Sequence, residues 1–209
     1  MGMKARQAKL AHQRVAIFLG LFIAVHFATH FSAFAGIAAH DIALQTGRSV
    51  YRVPVIEAAL VAALAAQVVI GIDLLRRISK RTRKDAWHWA QFASGCYLAY
   101  FIVMHTAAAL VTRLGFGLDT NFYWAAGTLT LDPIRYTFAP YYTLAVTALG
   151  AHQIAAMHFR KARAWHAPTL IIGPLAGIAI TMLYGGAFFG VELPATYKDY
   201  FSAFPGVEV

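Results

Sequence analysis

The chain has 209 residues, of which 59% are hydrophobic and 13% charged, with a mean hydropathy of +0.57 and a formal net charge of +9. A water-soluble domain carries roughly 25% charged residues, so charges this sparse cannot coat a soluble globule of this size, and the same numbers exclude disorder. The single cysteine, Cys96, stands in an apolar run; it excludes an internal disulfide framework and a cysteine zinc site, and reads as a small buried hydrophobe.

In chain order, a basic segment (1–14) precedes five apolar stretches, each long enough at about 20 residues to cross the hydrocarbon of a bilayer. They run approximately over 15–39, 54–75, 89–112, 139–159 and 168–190. In lipid each must satisfy its own backbone hydrogen bonds and is therefore helical. Pro54, Pro140 and Pro168 are expected at helix starts, where a missing N–H costs least, and Pro174 predicts a kink in the fifth helix. The outer loop from about Leu114 to Phe138 is long for a connector. Its Phe122-Tyr123-Trp124 suits an interfacial aromatic anchor or a short helix lying on the membrane. The tail (191–209) carries Tyr197, Tyr200, Phe201 and Phe204, spaced as one aromatic face that packs on the outer surface or on a partner. The expected fold is an all-α integral membrane bundle, a five-helix domain over 15–190.

Lys and Arg set the orientation. Thirteen of the 18 lie in the N-terminal segment and in the second and fourth loops. This excess places the N-terminus in the cytoplasm and the C-terminal tail on the periplasmic side of a cell inner membrane. The basic balance is thus a topology signal, and no nucleic-acid role is expected. A cleaved signal peptide ending near Ser32-Ala33-Phe34-Ala35 is disfavoured, because the apolar stretch is too long and contains His26 and His30.

An internal repeat organises the bundle. Residues 18–26 (FLGLFIAVH) align without gaps with 97–105 (YLAYFIVMH), bringing His26 onto His105. The second and fourth helices correspond through Pro54 and Pro140 and through Gln67 and His152. Two tandem helix pairs in one orientation, plus a fifth helix, are expected.

Ionisable residues inside a membrane are costly and mark functional candidates. His26 and His105 lie slightly beyond the midplane of their helices and are related by the repeat. Two neutral imidazoles facing each other across a flat gap are the axial ligand pair of a b-type haem, held within a helix bundle. Gly20, Ala24, Gly95 and Ala99 are small enough to admit its faces. His30, one turn beyond His26, is a further ligand, a hydrogen-bond donor to a quinone, or a packing residue. His152 faces Gln67 in the repeat, so a second haem lacks one ligand there; the two side chains could bond each other or the carbonyls of a quinone. His12, His40, His88 and His166 read as interfacial polar residues, and His158 as a snorkelling one.

These residues resemble the cytochrome b membrane-anchor subunit of the succinate dehydrogenase and quinol:fumarate reductase family, in its five-helix single-chain form. The match rests on residues 18–26, on Trp89-Ala90-Gln91-Phe92-Ala93-Ser94-Gly95 leading to His105, and on His152 followed by Arg160. The resemblance implies that His26 and His105 share an outer haem. Gln67 departs from the family pattern at the inner one. It also implies a role as the electron-transferring, non-catalytic subunit of an oxidoreductase complex, with quinone and other subunits of a membrane redox complex as partners. The alternative is a haem-free accessory subunit of a larger respiratory or photosynthetic complex.

Haem propionates at the outer level would seek Arg48, Arg52, Arg113 or Arg135, because guanidinium pairs well with carboxylate; the alternative for each is plain contact with lipid headgroups. Glu57, about one turn inside the outer end of its helix, is a carboxylate that could accept a proton in a quinol-oxidising protein or one paired with a nearby arginine such as Arg52 or Arg113; Asp73 is expected to pair with Arg76 or Arg77. No phosphate loop, Ser/His/Asp arrangement or zinc motif is present.

Overall fold

The computed structural model describes the backbone of residues 3–209 and side chains from residue 5 onward. Its helices are α1 (Met3–Ser32), α2 (Ile37–Tyr51), α3 (Pro54–Ser79), α4 (Ala86–Gly115), α5 (Phe122–Thr130), α6 (Arg135–Arg160), α7 (His166–Thr169), α8 (Ile172–Tyr184) and α9 (Ala195–Ser202), with one 3-10 turn at Ala33–Ala35. Every regular element among the described residues is helical, as composition and apolar runs require.

Four stretches are long and apolar enough to cross a membrane: Ala5–Ala35, Pro54–Ser79, Ala86–Gly115 and His166–Tyr184. They coincide with the first, second, third and fifth expected spans. The fourth lies inside α6, whose 26 residues match a span in length, while its Thr143, Thr147, His152, Gln153 and His158 dilute its apolar character. Of the basic segment 1–14, residues 1–2 and the Lys4 side chain lie outside the described residues. From Met3 onward it is the first part of α1 itself.

Proline explains two helix boundaries and misplaces a third. Pro54 opens α3 as expected. Pro174 lacks the N–H that would bond the Leu170 carbonyl, and its ring crowds that oxygen; the helix breaks there, between α7 and α8. Pro140, however, does not begin its helix. Arg135 does, and Pro140 sits inside α6.

Along the chain, α1 packs on α3, α3 on α4, α4 on α6 and α6 on α8. The last contact is close because α8 offers Gly173 and Gly177 to the α6 backbone. A Cβ on Gly177 would lie 2.7 Å from the Thr143 carbonyl oxygen. The Thr143 and Thr181 hydroxyls bond at 2.9 Å beside it, the small-residue contact by which membrane helices associate.

The outer loop and the tail form a packed end. Gly36, at φ 107°, turns the chain after α1 in a conformation only glycine adopts freely. This lets α2 fold back along α1, where sequence predicted a loop. The Phe122 and Trp124 side chains are buried, so α5 is tucked into the protein and its aromatic residues are not a lipid-facing anchor. The tail packs on it through α9, with Phe201 fully buried against Gly127. Phe122, Leu129, Ile180, Leu183 and Tyr184 make the main core here. The spans are different: only 11%, 6% and 11% of the first three are buried.

Candidate functional site

His26 on α1 and His105 on α4 come together. Their ring centroids are 6.2 Å apart, although α1 and α4 are not packed neighbours. Each ring is stacked on the phenylalanine one turn before it: Phe22 on His26 at 5.6 Å and 21°, Phe101 on His105 at 5.0 Å and 10°. These are equivalent positions in the sequence repeat, so the two halves build the same Phe–His unit and bring the two imidazoles edge to face, at 64° between ring planes.

An iron atom held by two imidazole nitrogens at about 2 Å each puts the ring centres about 6 Å apart, since each nitrogen lies about 1.1 Å from its ring centre. The observed separation fits that arrangement. His26 Nε2 lies 3.1 Å from His30 Nε2, and His30 Nδ1 lies 2.6 Å from the Tyr184 hydroxyl. If His26 Nε2–H donates to His30, and His30 Nδ1–H donates to Tyr184, the lone pair on His26 Nδ1 stays free for a metal. His30 then acts as the outer partner that fixes the tautomer. A cavity of about 100 Å³ flanks His105, lined by Trp124, Thr128, Phe138, Tyr141 and Tyr142 among others. It is smaller than a porphyrin. Among the described residues no three His, Cys, Asp or Glu side chains converge as a bare metal ion requires.

The small residues expected beside this pair are elsewhere. Gly20 and Ala24 face outward on α1, as their phase relative to His26 dictates at 100° per residue. Gly95 lies against Leu75 and His152, and Ala99 lines a crevice between α3 and α4.

The inner level holds a second polar group of different composition from the one expected. Gln67 and His152 do not bond each other. Gln67 Nε2 meets His12 Nδ1 at 3.4 Å. His152 is held by Gln91 Nε2, at 2.9 and 3.1 Å from its two ring nitrogens, and by the Ser94 hydroxyl at 3.2 Å. His12 comes between them, with its ring centroid 6.4 Å from that of His152. Gln67 Oε1 and Gln91 Oε1 are buried acceptors without a donor.

The outer arginines tie helix ends together. Buried Arg48 pairs with Asp119 at 2.8 Å. Arg52 lies 3.8 Å from the same carboxylate and donates to Thr120. Arg113 pairs with Glu57. Three guanidiniums thus face two carboxylates, leaving a positive surplus. Burial and the neighbouring Arg48 and Arg113 pull the Arg52 pKa down. Arg135 lies apart, on Asp132, and Asp73 pairs with Arg77.

Sequence reading missed three participants. His12 precedes His26 by fourteen residues and so falls on nearly the same helix face; helical phase alone could have found it. His40 is 3% exposed, in a helix whose existence the loop reading denied, 6.5 Å from His30 between ring centroids. Burial pushes its pKa down to about 4, with Arg48 and His26 adding to the effect and Asp41 opposing it. Tyr184 carried no signal, because only the fold of α8 brings it to His30. His158, expected to snorkel, stacks on Trp87 at 4.1 Å, and His166 is buried beside it. Cys96 is exposed, contrary to the buried reading.

Compared with protein-family models, curated proteins and solved structures, the chain matches none of them.

Proposed function

We propose that this chain is a b-type haem-binding membrane subunit that carries electrons between quinol or quinone and a partner protein, and anchors that partner at an inner membrane. In this reading α6 is the fourth of five crossings and the basic loops lie in the cytoplasm. The observation that carries it is the pair of repeat-related Phe–His stacks, Phe22–His26 and Phe101–His105, with imidazole centroids 6.2 Å apart, the separation an intervening iron would set.

When bound, the haem supplies a one-electron iron couple. The chain's own residues do the rest. His26 and His105 would hold the iron. His30 and Tyr184 fix the His26 tautomer. Arg52 and Arg113, with Arg48, carry one positive charge more than Asp119 and Glu57 offset, which would suit one propionate. At the inner level the unpartnered oxygens of Gln67 and Gln91 suit a ligand that donates hydrogen bonds. The two hydroxyls of a quinol do so, with His12 and His152 alongside to take up protons. A buried acceptor left unmet costs about 1–3 kcal/mol, so such a ligand gains by meeting both.

A second reading, a haem-free accessory subunit, is favoured by the His26–His30–Tyr184 chain, which satisfies polar groups between helices without a metal. Haem and iron assays on the purified protein separate the two. The haem reading expects one haem and one iron per chain, either lost or opened to carbon monoxide in both His26→Ala and His105→Ala, and unchanged in His158→Ala. Stable, folded protein without iron supports the accessory reading.

A further inference from the structure

Between α3 and α4, on the face away from the histidine pair, lies a crevice of about 340 Å³. Leu75, Phe92, Cys96 and Ala99 form its apolar wall, and Arg76 and Ser79 stand at the end nearest the loop that joins the two helices. Both helices are long and apolar enough to cross a membrane, so the crevice opens to the acyl region of a bilayer and its polar end lies toward the basic rim.

The charges at that rim are unequally engaged. Arg77 takes Asp73 at 2.9 Å. Arg81 lies 2.7 Å from His88, and Lys84 is held by the Arg81 carbonyl and over the Trp89 ring. Arg76 is exposed, and none of the ion pairs among the described residues includes it. An apolar slot about one helical turn or two in depth, ending in a free guanidinium at headgroup level, is complementary to a lipid with an anionic phosphodiester. A neutral ring or chain would leave Arg76 unmatched, and a free phosphate ion would leave the apolar wall bare. We propose that this crevice is a binding site for one anionic phospholipid, with its phosphate on Arg76 and an acyl chain between Leu75, Phe92 and Ala99. Basic pockets between membrane helices hold such headgroups at about 1 kcal/mol per cation.

The test is native mass spectrometry of the full chain released from bilayers of equimolar phosphatidylcholine and phosphatidylglycerol. One phosphatidylglycerol per chain is expected to remain bound. Arg76→Gln lowers its retention about fivefold, the equivalent of one such contact. Ala99→Trp fills the slot and abolishes retention, while Arg83→Gln, in the loop and off the crevice, leaves it unchanged. Arg76 is exposed, so its variant folds even should Ala99→Trp not. Equal retention of both lipids, an equal loss from Arg76→Gln and Arg83→Gln, or an isoprenoid quinone retained in the lipid's place overturns the proposal. The outcome is independent of whether haem is bound.

Discussion

Two glycine substitutions, one on α8 and one on α1, should move stability in opposite directions. In Gly177→Ala the added methyl would sit 2.7 Å from the Thr143 carbonyl oxygen and 3.1 Å from Thr143 Cα. Both are α6 backbone atoms, so no rotamer change relieves the clash, and α8 must move away. Overpacking of this kind costs about 1–3 kcal/mol. The displacement also stretches the Thr143–Thr181 bond, now 2.9 Å, worth about 0.5–1.5 kcal/mol. The expected loss is about 2–4 kcal/mol. Gly20→Ala is the control: its Cβ meets nothing within 4 Å, and alanine is favoured over glycine in a helix by about 1 kcal/mol, so this variant should gain stability. Unfolding free energies from denaturing-detergent titrations, followed by circular dichroism, read both. A Gly177→Ala variant within about 0.5 kcal/mol of the parent, the range of neutral surface changes, refutes the α6–α8 packing described above. So does a Gly20→Ala variant that loses as much as Gly177→Ala.

Other substitutions test the ends of the bundle. Asp119→Asn leaves the buried Arg48 guanidinium without its carboxylate; because Asp119 is 42% exposed and water can partly replace it, the expected loss is about 1–3 kcal/mol, measured in the same titration. His40 has its folded pKa lowered to about 4 from an ordinary 6.5, so the unfolded chain takes the proton first. Its contribution is full above pH 6.5 and declines as pH falls toward 4. His40→Gln should therefore flatten the pH dependence of stability in that window, and an unchanged profile contradicts the assignment. Asp85 caps α4 by accepting from the His88 N–H at 2.9 Å, and its hydrogen bonds to His88 hold its carboxyl below the usual range. This cap is present above the ordinary carboxylate pKa and is lost as pH falls through the lowered one. Asp85→Ala should speed amide exchange at residues 87–89 at neutral pH.

Four of the five expected spans, helices long and apolar enough to cross a membrane, were legible because apolar length is read against bilayer thickness. The pairing of His26 with His105 followed from the repeat, which survives as matched Phe–His stacks. Segments outside the spans were harder. The helix α2 has no long apolar run and depends on Gly36 to turn it back along α1. The burial of Phe122 and Phe201 depends on α5 and α9 finding each other across about 70 residues of chain, which local pattern does not encode. At the inner level, repeat alignment matched Gln67 with His152, but repeat equivalence relates positions and does not set contact distance. His12, on the continuous α1, came between them instead. Gly20 and Ala24 were assigned by closeness in sequence to His26, where helical phase turns them away.

The account stands most directly on iron ligation by His26 and His105. Absorption spectra of the dithionite-reduced protein, with and without carbon monoxide, test it. The parent should show a b-type reduced spectrum that carbon monoxide leaves unchanged, because both axial positions are filled. His105→Ala should either lose the haem or bind carbon monoxide. A parent protein with no haem absorbance, or with a haem spectrum that neither His26→Ala nor His105→Ala changes, contradicts it.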